Sequence, residues 1–305
     1  MRIVLFGQAA FAEQVLDGLR ARGHQVAAVY CPPDAGPKPD PLKARATVLG
    51  LPVHQHPTLK GAEVAREVAG YAAELGVLAY VTQIVPQAVF DAPRLGSICF
   101  HPSLLPRFRG GSAIPWQIMK GETRTGVSVF WVDPGIDTGP LLLQREAPIG
   151  PDDTGASLYY DTLFPLGVDA VLDAVEQIAA GTAPRQPQDE SRATYDPLCR
   201  DQHAGVDWQR PTAEVYDQIR GCDPQPGAFV LRGGEKIRLY DARRADAAAT
   251  APGIIAAIGA DGITVGAAGG AIRIGRLRVG AQKLAAAAAA AQLGLTVGTA
   301  LSDER

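Results

Sequence analysis

A chain of 305 residues that is 47% hydrophobic carries enough apolar material for a substantial core, and its length predicts two domains. Its 29 Lys+Arg against 32 Asp+Glu exclude a global basic field able to hold a polyanion, so nucleic acid is not implied. No apolar run approaches the roughly 18 to 20 residues that span a bilayer, and the alanine-rich stretch at 285–291 is short and weakly hydrophobic.

The N-terminus, Met1 to Phe6, reads as a strand rather than a signal peptide, which makes the cytoplasm the expected location. Ile3 to Phe6, Gln25 to Tyr30, Val53 to Gln55, Val77 to Val81, Ser97 to Phe100 and Val127 to Val132 are predicted strands, most bounded by Gly, Pro or Asp. Helical segments separate them, such as 9–22, where Phe11, Val15, Leu16 and Leu19 share one face. This alternation predicts a mostly parallel sheet covered by helices on both sides, with ligands at the carboxyl ends of its strands.

A helix is predicted from Thr154 to Ala180, ended by Gly181, with Pro165 as a candidate kink. The stretch 182–201 is rich in Pro, Gln, Asp and Ser and has the composition of a linker. The domain boundary is therefore placed near 203, giving a catalytic domain over 1–202 and a second domain over 203–305. The second should hold a helix at 212–220, then strands at Ala228 to Leu231, Lys236 to Tyr240, Gly253 to Ile258, Ile263 to Val265 and Ala271 to Val279. Gly233-Gly234, Asp261-Gly262 and Gly269-Gly270 are hairpin signals between them, and a small β-barrel fits this spacing. Lys283 to Leu293 has high helix propensity. The cysteines, Cys31, Cys99, Cys199 and Cys222, lack CxxC spacing and read as reduced thiols, with no zinc site or disulfide framework among them.

Two places could carry chemistry on the parallel sheet. Gly7-Gln8-Ala9-Ala10-Phe11 follows the first strand, but only one glycine of a GxGxxG phosphate cradle is present, so a tight strand-to-helix turn is expected. The strand Ser97-Ile98-Cys99-Phe100 delivers His101 into a loop shaped by Pro102, Pro106, Gly110 and Gly111. The next strand runs into Asp133-Pro134-Gly135-Ile136-Asp137-Thr138-Gly139, which places two carboxylates on the same edge. A histidine and an aspartate brought together there form an acid–base pair, whereas each alone could equally cap a turn or a helix end.

The residues decide between these readings. His101-Pro102-Ser103-Leu104-Leu105-Pro106 with Arg109-Gly110, followed by Asp137-Thr138-Gly139, closely resembles the signature of the 10-formyltetrahydrofolate-dependent formyltransferase family. The resemblance covers nearly the whole chain, including Gly7-Gln8 with Phe11, Asp40-Pro41-Leu42, Gln83 with Pro86, and the tail. Ala92-Pro93-Arg94, Phe130-Trp131 and Leu163-Phe164-Pro165 look most like the hydrolase domain of 10-formyltetrahydrofolate dehydrogenase.

The resemblance implies a Rossmann-like domain followed by a small open, OB-like β-barrel, and an enzyme that removes the formyl group of 10-formyltetrahydrofolate without a metal. It implies His101 and Asp137 as the catalytic pair, and a pterin seated between the strand around 80–86 and the 133–139 loop, with Gln83, Ser103, Leu104, Leu105, Pro106, Gly135 and Gly139 around the folate. Most transferases of the family carry Asn where this chain has Cys99, and a thiol is a weak substitute donor for an oxyanion.

Three acceptors compete. The loop Cys31 to Asp40 holds one lysine and two aspartates, which disfavours initiator tRNA as a partner, and no nucleotide site for an amino sugar is recognisable. Water or a small amine is the expected acceptor, methionyl-tRNA formylation the alternative, and a non-catalytic folate-binding protein the third reading.

Overall fold

The computed structural model describes residues 1–246 and 250–303. Two compact units emerge, one of Met1–Gly111, Thr125–Ala147 and Asp161–Asp196, the other of Ser112–Arg124, Pro148–Tyr160 and Pro197–Arg305. A single cut at 203 falls inside the second unit, which recruits two earlier segments of the chain.

The strands of the first unit are β1 (Arg2–Gly7), β2 (Gln25–Cys31), β3 (Val53–Gln55), β4 (Leu75–Ala79), β5 (Ser97–His101), β6 (Arg124–Trp131) and β7 (Leu141–Pro148). Those of the second are β8 (Phe229–Arg232), β9 (Glu235–Ala245), β10 (Ile255–Gly259), β11 (Gly262–Ala267), β12 (Gly270–Val279) and β13 (Gln282–Ala285). The helices are α1 (Ala9–Ala21), α2 (Pro41–Val48), α3 (Ala62–Gly70), α4 (Gln87–Phe90), α5 (Ala113–Met119), α6 (Gly155–Ser157), α7 (Phe164–Ala179), α8 (Asp201–Ala204), α9 (Thr212–Gly221) and α10 (Ala286–Gln292).

The first sheet runs in the order β3-β2-β1-β4-β5-β6-β7. Strands β1 to β5 pair in parallel and β6 is antiparallel to β5, which is the expected Rossmann-like, mostly parallel arrangement. Val4, Phe6, Ala28, Tyr30 and Leu78 pack with Val64 and Val68 of α3 on one face. On the other, Phe11 of α1 stacks on Phe100 at 4.4 Å and meets Phe164 of α7 edge-on at 5.5 Å. Strand β7 escaped the sequence reading because Leu141 to Pro148 has no β-branched residue and alternates only weakly between apolar and polar.

Gly7 makes the tight turn expected of it. A Cβ there would lie 2.3 Å from the Ala79 carbonyl oxygen and 2.6 Å from Ala12 Cβ, so the first turn of α1 sits against β4 only because the side chain is absent. The first N–H of that helix, on Ala9, donates to both carboxylate oxygens of Asp40 at 2.8 and 3.1 Å. The chain's own anion thus takes the place a phosphate would hold.

The predicted helix 154–180 divides into α6, a π-helical turn at Leu158–Leu163, and α7. Pro165 lies in the first turn of α7, directly after the π-helical turn, so the helical run changes character at the proline. The linker reading of 182–201 is also corrected. Leu141 and Gln186 exchange backbone hydrogen bonds at 2.7 and 3.0 Å, and Arg109 N donates to Thr194 O at 2.9 Å, which ties the segment into the first unit. Its partners are distant in sequence, so local composition could not reveal them.

In the second unit a six-stranded antiparallel sheet runs β10-β11-β12-β9-β8, with β13 beside β12. Its core includes Trp208, Tyr216, Ile219, Leu239, Ile263 and Ile274. The segment 298–303 bridges its two edges. Ile255 N donates to Thr299 O and Leu301 N to Gly253 O on the β10 side, while Asp303 N donates to Leu231 O on the β8 side. The helix expected from Lys283 begins only at Ala286, because Gln282–Ala285 pair with β12; tertiary pairing overrides local helix propensity there.

Candidate active site

The site lies in the first unit. Antiparallel β6 ends beside the start of β5, with Trp131 opposite Ile98, so the 133–139 loop does not leave from the edge where His101 ends, as expected, but folds back to it. Strand β5 ends on His101, whose side chain is 7% exposed. Its Nε2 lies 2.7 Å from the Phe108 carbonyl oxygen. A carbonyl only accepts, so Nε2 carries a proton and Nδ1 is the nitrogen that can change state. Nδ1 lies 3.5 Å from Asp137 Oδ2, and the same carboxylate oxygen accepts the Gly110 N–H at 2.8 Å. The histidine and aspartate that the sequence separates by 36 positions are brought together.

The loop carrying Asp137 is built by its neighbours. Asp133 Oδ1 accepts from Gly135 N at 3.0 Å and from Thr138 Oγ1 at 2.6 Å, which curls the chain back on itself. Asp137 sits at a φ of +56°, a left-handed conformation that Asp and Asn tolerate better than most residues. A Cβ on Gly139 would stand 1.7 Å from the Trp131 carbonyl oxygen, and one on Gly135 would stand 1.9 Å from Thr138 Oγ1. Both glycines are demanded by the turn itself.

Gln188 holds the same loop from behind, donating through Nε2 to the carbonyls of Asp137 and Gly139, both at 2.8 Å. Its Oε1 accepts from Arg109 Nη2 at 2.8 Å, and Arg109 reaches both carboxylate oxygens of Glu190 at 2.6 and 2.9 Å. These contacts hold the exposed Glu190 carboxyl below the usual range. Neither Gln188 nor Glu190 was identified from sequence, since both lie in the segment read as linker. The signal that could have drawn attention there is the family-like Arg109, a buried guanidinium that needs polar partners.

The loop after His101 is braced internally. Ser103 Oγ donates to Arg107 O, Ser128 Oγ donates to Ser103 O, and Leu105 N donates back to Ser128 Oγ, at 2.7, 2.6 and 3.1 Å. Gln144 Nε2 adds a bond to Leu105 O at 2.9 Å. The Leu105–Pro106 peptide is cis. Ser103 is fully buried, so in this conformation its hydroxyl serves the loop. Leu104 lies against Gly126, where an added Cβ would come within 2.6 Å of its Cδ2.

Cys99 is partly accessible and packs against Leu105, Phe130 and Leu141. Desolvation first, and the Asp137 charge second, push its thiol pKa well above the ordinary value. A thiol kept protonated is a poor nucleophile and a weak hydrogen-bond donor.

Gln83 belongs to a neighbouring cleft. Phe6, Gly7 and Gln8 after β1, and Val81, Thr82 and Gln83 after β4, line an opening with Tyr30, Pro32 and Leu59. It lies where the strand order reverses, the usual binding position in such sheets. The Gln83 amide donates to the His56 and Pro57 carbonyls at 3.0 and 3.1 Å, fastening the loop after β3 to the loop after β4.

With this geometry in view, comparison with known proteins decides the family. Residues 1–171 match the formyl transferase family and residues 200–293 match the formyl transferase C-terminal domain. The chain belongs to the formyl transferase family. It is 44% identical over 245 residues to mitochondrial 10-formyltetrahydrofolate dehydrogenase of Mus musculus, a match covering 79% of this chain and 26% of that protein. The chain therefore spans about a quarter of that relative's length. It is 40% identical over 294 residues to methionyl-tRNA formyltransferase of Dinoroseobacter shibae, covering 94% of this chain and 96% of the relative.

Among solved structures, HypX from Aquifex aeolicus in complex with tetrahydrofolic acid shares the fold with a TM-score of 0.73 at 23% identity, over 100% of this chain and 50% of that one. An N-formyltransferase from Helicobacter canadensis aligns with a TM-score of 0.68 at 18% identity, over 92% of this chain and 99% of its own. This formyl transferase is an enzyme by family, and among its described residues no helix is long and apolar enough to cross a membrane.

Proposed function

We propose that the protein takes the formyl group from 10-formyltetrahydrofolate and gives it to water or a small amine. The observation that carries this reading is the His101–Asp137 pair held at 3.5 Å where β5 ends in a formyl transferase sheet. The nucleophile attacks the N10-formyl carbon, the carbonyl electrons move to oxygen, and the tetrahedral intermediate collapses with N10 leaving. Asp137 Oδ1 takes the proton of the nucleophile, directly or through water, since Oδ2 is engaged by Gly110 N–H. His101, protonated at Nδ1, supplies a proton to the leaving nitrogen or a hydrogen bond to the oxyanion. The pterin is assigned between the strand around 80–86 and the 133–139 loop, next to the opening lined by Gly7, Gln8 and Gln83, and no step calls for a metal.

Cys99 bears on the acceptor. Without an amide donor at that position the oxyanion rests on His101 and backbone N–H groups. The acidic loop supports the same reading, because Lys43 at its base is paired with Asp34, which leaves less positive charge for a phosphate backbone. Formylation of methionyl-tRNA is a second reading, favoured by the match to a methionyl-tRNA formyltransferase along nearly its full length.

The test is spectroscopic release of tetrahydrofolate from 10-formyltetrahydrofolate by the purified protein, first alone, then with charged initiator tRNA or a panel of amino sugars. Release without any added acceptor supports hydrolysis. Saturable formylation at submicromolar tRNA replaces it with the second reading, and no release under any condition leaves a folate-binding protein.

A further inference from the structure

A second cluster of chemically capable side chains lies on the face of β3 covered by α3. His54 in β3 and His56 just beyond it are two positions apart, so an extended chain turns both side chains to one side. Their rings are parallel within 2°, with centroids 6.3 Å apart. Glu67 of α3 reaches between them, with Oε2 3.0 Å from His54 Nδ1 and Oε1 3.1 Å from His56 Nε2. One donor atom from each of the three residues can be chosen so that all lie within 4.8 Å of one another.

We infer that His54, His56 and Glu67 form a binding site for a divalent transition-metal ion of the Zn²⁺ class. Two imidazoles and one carboxylate are a donor set suited to such ions. Bonds of about 2.0–2.2 Å place neighbouring ligand atoms of a tetrahedral centre about 3.3 Å apart, close to the two separations between Glu67 and the histidines. The side chains of His54, His56 and Glu67 are 21%, 28% and 31% exposed, which leaves a path for the ion and room for water at a fourth position.

Two further residues support the site. Tyr71, one helical turn beyond Glu67, places its hydroxyl 2.6 Å from His54 Nε2. If that hydroxyl accepts from Nε2–H, the Nδ1 lone pair faces Glu67 and is available to a metal, the orienting contact that metal-ligating histidines usually have. Tyr30, paired across the sheet with His54, stacks on it at 4.8 Å and is 2% exposed. Its hydroxyl makes no hydrogen bond within 3.5 Å but interacts with the Glu67 carboxylate, so a water on a metal held there would bridge the two.

The site is separate from the His101–Asp137 pair and takes no part in the proposed formyl transfer. It would pin β3 to α3 beside the His56 and Pro57 carbonyls that Gln83 holds, and so stiffen one wall of the neighbouring cleft.

Chelator-treated full-length protein titrated with Co²⁺ should develop visible ligand-field absorption, and Zn²⁺ should abolish it at one equivalent. Zn²⁺ affinity, measured by competition with a chromophoric chelator, should be tighter than about 10 micromolar. His56→Gln and Glu67→Gln should each weaken it at least tenfold, with circular dichroism unchanged, while His203→Ala in the other unit leaves it intact. Absence of Co²⁺ absorption and of Zn²⁺ binding in the unmodified protein overturns the inference. So does affinity that survives in Glu67→Gln, whose half-buried helix position tolerates the nearly isosteric change.

Discussion

Gln188 donates its side-chain amide to the Asp137 carbonyl at 2.8 Å, and the same nitrogen donates to Gly139 O at 2.8 Å. A residue from the far side of α7 therefore fixes the backbone from which the proposed proton acceptor projects. Gln188→Ala should lower kcat about 10- to 100-fold, as loss of an orienting partner does elsewhere, while folate affinity stays within a few-fold. Steady-state kinetics with direct folate titration separate the two quantities. An unchanged kcat would remove Gln188 from the positioning role.

Asp137→Asn keeps the shape of the side chain, and Asn is well suited to a φ of +56°. Only the proton acceptor is lost. Turnover should disappear while folate binding remains within about tenfold, or about 1.4 kcal/mol. His101→Ala should behave in the same way. Near-normal turnover by either purified variant eliminates the pair as catalytic.

Gly139→Ala puts a methyl group 1.7 Å from the Trp131 carbonyl oxygen, and backbone rather than a flexible side chain must yield. The expected outcome is about 1–3 kcal/mol of lost stability together with loss of turnover, because the displaced loop carries Asp137. A melting curve and a rate assay on the same preparation check both. A variant with wild-type melting and activity would show that the loop relaxes freely.

Cys99→Asn replaces a protonated thiol with an amide donor two residues before His101. Transfer to an added amine should rise relative to release of free formate if the oxyanion lacks a donor in the natural chain. Product analysis by mass spectrometry reads the ratio, and an unchanged partition would mean that position 99 does not reach the oxyanion.

Asp223 in the second unit supplies a pH dependence. Burial is the main cause that raises its pKa above 3.8, opposed by the hydrogen bond it accepts from Asp241 N. A carboxyl with a raised folded-state pKa binds more protons folded than unfolded, so its contribution is most favourable below the unfolded value. It declines as pH rises through the folded one. Asp223→Asn keeps an acceptor for Asp241 N–H and removes the buried charge. The variant should melt at or above the wild type at pH 7 and lose less stability on going from pH 4 to pH 7. Thermal scans across that range test the sign, and a variant that falls more steeply with rising pH contradicts it.

The alternation of apolar runs and glycine-bounded turns was enough to read the parallel sheet, because strand and helix periods are local properties. The motifs around His101 and Asp137 were legible for a similar reason, since each is a short contiguous stretch. Local propensity misjudged β13, where Lys283, Leu284 and Ala285 of a helix-favouring run pair with β12, and it passed over β7, whose edge position demands little of its sequence. What only the tertiary structure decided is which distant groups meet. Gln188 lies 51 positions from Asp137, Glu190 lies 81 from Arg109, and Glu67 lies 11 and 13 from the two histidines it joins. Hydrogen bonds across such separations leave no mark in the composition of either segment. They arise because packing brings loop ends together and buried polar groups must then find partners.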